Sequence, residues 1–113
     1  MREQEIQNKI RVAVSAAGHL IFRANVGKVR MENDRWFDTG LPQGFPDLFG
    51  TSKDGRSFYI ECKNEKGQPQ EEQIKFHKML VKRGIVHGIA RSPEDALKII
   101  RESLVGYGFK GED

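Results

Sequence analysis

Two short apolar runs, DLFG from Asp47 and SFYIECK ending at Lys63, flank a turn segment, and the length of that turn decides which side chains share a face. Side chains alternate along an extended strand, so Phe58, Ile60 and Cys62 point one way while Tyr59, Glu61 and Lys63 point the other. The first set reads as core. The second holds a carboxylate and an ammonium two residues apart at a strand end. A two-residue Asp54-Gly55 loop would pair Lys53 with Arg56 and set Asp47 opposite Cys62, on the core face. A three-residue loop, Lys53-Asp54-Gly55, with Gly55 left-handed in a bulged turn, pairs Asp47 with Glu61 instead. The second register is the expected one. Two opposed carboxylates repel unless a cation lies between them, and hard oxygen donors on a rigid edge suit Mg²⁺ or Mn²⁺.

The remaining elements follow from periodicity. Ile6, Ile10, Ala13, Val14 and Ala17 recur at helical spacing before Gly18, which predicts an amphipathic first helix. HLIFRANV reads as a strand, and RWFDT as a short strand between the turn MEND and the Gly/Pro-rich GLPQGFP. From Gln70 to Arg83, Ile74, Phe76, His77, Leu80 and Val81 lie mostly on one helical face, with Gly84 as the stop. IVHGIA reads as a buried strand, and Ser92-Pro93-Glu94-Asp95 opens a last helix through Leu97, Ile99 and Ile100. The order α-β-β-β-α-β-α predicts an α/β fold, a central mixed sheet flanked by helices.

With 113 residues, no repeat and no linker-like tract, a single domain over 1–113 is expected. The absence of a long uncharged apolar run argues against a membrane span or signal peptide, so a soluble, cytoplasmic protein is expected. One cysteine excludes an intrachain disulfide and a structural zinc site of its own. The three histidines, His19, His77 and His87, show no metal-ligand spacing and read as structural. That also argues against a zinc-dependent or HNH-type nuclease. A net charge of +3 permits a nucleic-acid partner without requiring one.

FPDLFG followed by YIECK resembles the PD-(D/E)XK signature of restriction-endonuclease-like nucleases, as Pro46-Asp47 and then Glu61-Cys62-Lys63. Together with RANVGKVR, YIECKNEKG and QEEQIKFHKML, the pattern resembles the virus-type replication-repair nuclease (VRR-NUC) branch over nearly the whole chain. The resemblance implies that Asp47, Glu61 and the backbone carbonyl of Cys62 bind Mg²⁺, with Mn²⁺ able to substitute. It implies that Lys63 positions or activates the attacking water and that Gln73 supports the site beside it. An acid early in the first helix is also implied; Glu3 and Glu5 both qualify, and Glu3 is preferred for its spacing to Ile6 and Ile10. Cys62 itself, pointing inward, is read as a small buried apolar residue.

The implied activity is metal-dependent endonucleolytic hydrolysis of DNA, branched or otherwise structured, in replication, repair or recombination, by a homodimer. The competing reading is a noncatalytic DNA-binding or assembly module that retains the fold; intact Asp47, Glu61 and Lys63 favour the enzyme. Lys28, Arg30 and Lys66 are the candidate DNA contacts, with Arg35, Lys53 and Arg56 either extending the track or serving as solubilising charge. Trp36 and Phe37 are either core or an apolar patch for a partner subunit.

Overall fold

A computed structural model describes residues 1–110; the last three residues of the expected domain span lie outside the described part. In chain order the elements are α1 (Glu3–Ala16), β1 (Leu20–Arg23), β2 (Lys28–Arg30), β3 (Trp36–Asp38), β4 (Leu48–Thr51) and β5 (Ser57–Cys62). They continue with α2 (Glu71–Lys82), β6 (Val86–Ala90), α3 (Pro93–Arg101) and β7 (Val105–Tyr107). Five strands form one mixed sheet in the order β1-β4-β5-β6-β7, antiparallel from β1 to β5 and parallel from β5 to β7. The expected α/β architecture is therefore present. Some details differ from the sequence reading. β2 and β7 are additional strands, each of three residues and too short for a periodic signal. β2 and β3 pair with each other as a separate two-stranded sheet instead of joining the main one.

One face of the sheet is the apolar core. Leu48, Phe58, Ile60, Cys62, Val86 and Ala90 pack beneath Ile6, Ile10 and Val14 of α1 and Ala96, Ile99 and Ile100 of α3. The stripes on the helices recur every three to four residues, which is the spacing that brings them onto one side. Ser92 caps α3 by accepting the Asp95 N–H at its Oγ, 3.1 Å away, and Pro93 fills the first turn where its missing N–H costs nothing.

The opposite face is covered by α2, and this was not evident from alternation. Phe45, Phe49, Tyr59 and Phe76 form an aromatic cluster there, Phe45 standing 5.7, 5.8 and 5.3 Å from the other three ring centroids. Only His77 and Leu80 of α2 are fully buried, while Val81 is exposed, so the buried face of this helix is narrower than its apolar pattern suggested. Among the described residues no helix is long and apolar enough to cross a membrane.

Candidate active site

The turn between β4 and β5 sets the geometry of everything that follows. Thr51 pairs with Ser57, Gly50 with Phe58, Phe49 with Tyr59 and Leu48 with Ile60. Ser52 N–H donates to Arg56 O at 2.7 Å, closing a loop of Lys53, Asp54 and Gly55, and Gly55 takes φ of 89°. Only glycine adopts that conformation without steric cost. Continuing the register one step sets Asp47 opposite Glu61, as the three-residue loop requires.

One further step sets Pro46 opposite Cys62. That pair falls at a hydrogen-bonding position of the ladder, but proline has no N–H to give. The Cys62 N–H turns instead to Asp47 Oδ2, 2.9 Å away, which fixes the Asp47 carboxylate beside the strand end. A residue in a strand directs its N–H and C=O to the same side, so the Cys62 carbonyl also faces the Asp47 side, opposite a residue that cannot donate to it.

Glu61 is buried, with 3 % of its surface exposed. Burial first, then the hydrogen bond that protonated Glu61 donates to Asp47 and the charge of Asp47, push its pKa up to about 10; Lys63 opposes the shift and Glu3 adds to it. Gln73 Nε2 donates to Glu61 Oε1 at 3.0 Å. The orientation of that amide is set independently, because Gln73 Oε1 accepts the Gln70 N–H at 2.8 Å within a capping box. The start of α2 thus aims a donor at Glu61. Burial, and secondarily the nearby carboxylates, push the Cys62 thiol up, so its side chain is not a nucleophile at neutral pH.

Lys63 is buried to 7 % exposure, and its N–H donates to Ala90 O at 3.2 Å. Glu3 reaches the same place from α1. A Cβ on Gly67 would lie 2.9 Å from Glu3 Oε2 and 3.3 Å from Lys63 Cδ, so the carboxylate and the lysine stem converge over this glycine. Glu5 does other work: its Oε1 accepts the Arg2 N–H at 3.2 Å and it is exposed. Of the two acids in the first turn, Glu3 is the one directed to the site. Asp47, Glu61, Lys63, Gln73 and Glu3 are therefore gathered from four elements.

No family model and no curated protein matches the sequence. Solved structures do match. One described as "VRR_NUC domain" superposes with a TM-score of 0.66 at 22 % identity, over 90 % of this chain and 97 % of its own. Another, described as "VRR_NUC domain protein", gives 0.61 at 18 % identity over 99 % and 98 % of the two chains. The chain has the VRR-NUC fold.

Within this VRR-NUC fold two of the three expected nucleic-acid contacts stand on a separate hairpin. Lys28 and Arg30 lie on the exposed β2–β3 hairpin, where Arg30 is paired with Asp34. The base of the hairpin is tied to the segment that leads into Asp47: Gly27 N–H donates to Leu41 O at 2.9 Å, and Lys28, Asp38 and Gln43 line a cleft of about 650 Å³ between them. Trp36 and Phe37 are exposed, so they are not core. Lys66 is exposed in the turn after Lys63, the nearest in sequence of the three cations to Glu61 and Lys63.

Sequence reasoning missed the coupling of the histidines. All three are buried, and His77 Nδ1 lies 2.8 Å from His87 Nε2 between α2 and β6. His87 Nδ1 lies 2.7 Å from Ile85 O, which can only accept. With burial lowering its pKa, His87 is neutral with its proton on Nδ1, so His77 donates to it. Ten residues separate them, and no local pattern announces such a pair.

The donor set can be tested against a hard divalent cation. Among the described residues no three His, Cys, Asp or Glu side chains are gathered as a cage. Two carboxylates and the Cys62 carbonyl are nevertheless all-oxygen donors, and Mg²⁺ is commonly held by one or two carboxylates with several waters retained. The residues of this VRR-NUC fold fit such an ion.

Proposed function

We propose that this chain is a divalent-metal-dependent DNA endonuclease, using Mg²⁺ or Mn²⁺, that acts on branched or otherwise structured DNA as a homodimer. The observation that carries the reading is the opposition of Asp47 and Glu61 beside buried Lys63, with Glu61 driven to retain a proton in the absence of a cation. A carboxyl so destabilised in its ionised form is poised to exchange that proton for a metal. Asp47, Glu61 and the Cys62 carbonyl would hold the ion, which when bound supplies charge neutralisation and an acidified water for phosphodiester hydrolysis.

The chain's own groups do the rest. The Cys62 N–H holds Asp47 in place, and Gln73 holds Glu61, so neither carboxylate needs to reorganise on loading. Lys63 carries its ammonium to where negative charge develops on the phosphoryl group. The exposed cations Lys28, Arg30 and Lys66 meet backbone phosphates, which gives binding without base readout. The exposed apolar side chains Val29 and Phe37, cross-strand neighbours on the hairpin, support pairing with a second copy.

The test is a panel of labelled flaps, junctions, nicked duplexes and single strands with Mg²⁺, Mn²⁺ or chelator at fixed salt. Asp47→Asn and Glu61→Gln are expected to abolish metal-dependent cleavage while binding DNA in chelator at least as well as the wild type. Lys63→Ala should lose cleavage and bind slightly more weakly. Wild-type binding with no cleavage under any metal would establish the assembly-module reading instead, and light scattering that shows only monomer with and without DNA would exclude the dimer.

A further inference from the structure

Glu3 and Lys63 are sixty residues apart in the chain and arrive from different elements, yet they meet over one short turn, Asn64 to Gly67. The turn is closed internally by Asn64, whose Oδ1 accepts the Lys66 N–H at 3.1 Å and the Gly67 N–H at 2.7 Å. It is also clamped from outside. Arg91 Nη1 donates to Asn64 O at 2.5 Å and to Gly67 O at 2.7 Å, so one guanidinium nitrogen bridges the first and last carbonyls of the turn.

Arg91 is itself anchored. It follows Ala90, whose carbonyl takes the Lys63 N–H, and its own N–H donates to Asp95 Oδ2 at 2.9 Å. Asp95 Oδ1 accepts the Tyr107 hydroxyl at 3.2 Å, and the Asp95 N–H is bound by the Ser92 cap. The β6–α3 corner is thereby connected, through a single guanidinium, to the backbone beneath Glu3 and the Lys63 stem. The three groups crowd one spot: an added Cβ on Gly67 would also lie 3.2 Å from Asn64 Oδ1, so carboxylate, lysine stem and amide all border the space above this glycine.

We infer that Arg91 is a positioning residue for the nuclease centre, setting the relative placement of Glu3 and Lys63 by clamping the Asn64–Gly67 turn. The inference rests on the proposed nuclease reading for its consequence but not for its geometry. A planar nitrogen with two N–H bonds splayed in one plane can bridge two carbonyls in a defined direction, whereas an ammonium on a flexible stem keeps the charge but not the direction. Misplacement of catalytic groups by about 1 Å can cost on the order of a hundredfold in rate.

The experiment compares Arg91→Lys and Arg91→Ala with the wild type in two arms. In the first, carried out in chelator, NMR follows the Lys63 side-chain and Glu3 carboxyl resonances and the amides of the turn. Both variants should shift these while leaving the amides of the β4–β5 turn in place; unchanged Lys63 and Glu3 resonances in a folded variant would overturn the inference even if the protein cuts no DNA. In the second, kcat for metal-dependent cleavage should fall ten- to a hundredfold in both variants with KM and chelator-state DNA affinity within twofold. Millimolar guanidinium should restore at least part of the loss in Arg91→Ala and none in Lys63→Ala. A loss confined to KM or affinity would make Arg91 a DNA contact and refute the positioning role, as would undiminished kcat. If Arg91→Ala does not fold, Arg91→Lys decides both arms. Wild-type inactivity on every DNA would sink the nuclease reading and leave the first arm to judge the clamp.

Discussion

Replacing Glu61 by glutamine should stabilise the metal-free protein, and by an amount that grows with pH. In the unfolded chain this carboxyl ionises near 4.5, whereas in the folded, metal-free protein it holds its proton until about 10. Between those values the folded state binds one more proton than the unfolded state, so stability falls as pH rises, by about 1.4 kcal/mol per unit. The penalty is absent below 4.5, reaches about 1 kcal/mol at pH 5 and about 3 kcal/mol at pH 7. Glutamine does not titrate and can accept the Gln73 Nε2–H, so Glu61→Gln removes the pH-dependent part without creating a cavity. In chelator, the variant should exceed the wild type in urea midpoint by about 1 to 3 M at pH 7, for a slope of roughly 1 to 3 kcal/mol/M, and by much less at pH 5. Added Mg²⁺ should narrow the gap at pH 7, because only the wild type gains from binding. An advantage equal at the two pH values would mean that Glu61 is ionised in the folded metal-free protein, and the account of the site would fail.

Gly55→Val should cost about 1 to 2 kcal/mol in urea unfolding, from backbone conformation alone, since nothing lies within 4 Å of the added Cβ; no loss would contradict the left-handed turn. Phe58→Ala, at the centre of the core, should cost about 3 to 5 kcal/mol, and a smaller value would mean that the α1–α3 face collapses around the void. His87 has a lowered folded-state pKa, so its contribution is present above the unfolded value of 6.5 and is lost as pH falls below it towards the folded pKa. In the Glu61→Gln background stability should therefore decline below pH 6.5, and an NMR titration placing the His87 ring at or above that value would refute the cause. Gln7 Oε1 is buried without a hydrogen-bond partner among the described residues, and Gln7→Leu should gain about 1 kcal/mol; a loss would indicate a bridging water at that atom.

The elements that periodicity identified correspond to the observed ones because their signals are local. The α1 stripe needs only the spacing of Ile6, Ile10 and Val14, and Ser92 needs only Pro93 and Asp95 beside it to open α3. The β2–β3 hairpin shows where locality ends: β3 is legible in RWFDT, but β2 is not, and whether the pair joins the main sheet depends on partners elsewhere in the chain. The burial of Glu61 and Lys63 was likewise not legible, because alternation says which residues share a face and is silent about which helix covers it.

By itself, then, the sequence limited the β4–β5 hairpin to two parities, because an Asp54-Gly55 turn of two residues or three sets Asp47 against Cys62 or against Glu61, and the observed register with Gly55 left-handed is the second. Proline at position 46 belongs to the same class of facts, removing an N–H opposite Cys62 wherever the register is kept. Only the tertiary structure decided what lies above that face: α2 bringing Gln73 to Glu61, α1 bringing Glu3 over Gly67, Arg91 clamping the turn between them, and His77 finding His87. The physical reason is range. Strand parity and proline chemistry act between neighbours along a backbone, whereas desolvation of a carboxylate and the directing of a guanidinium arise from groups that the chain brings together only by packing.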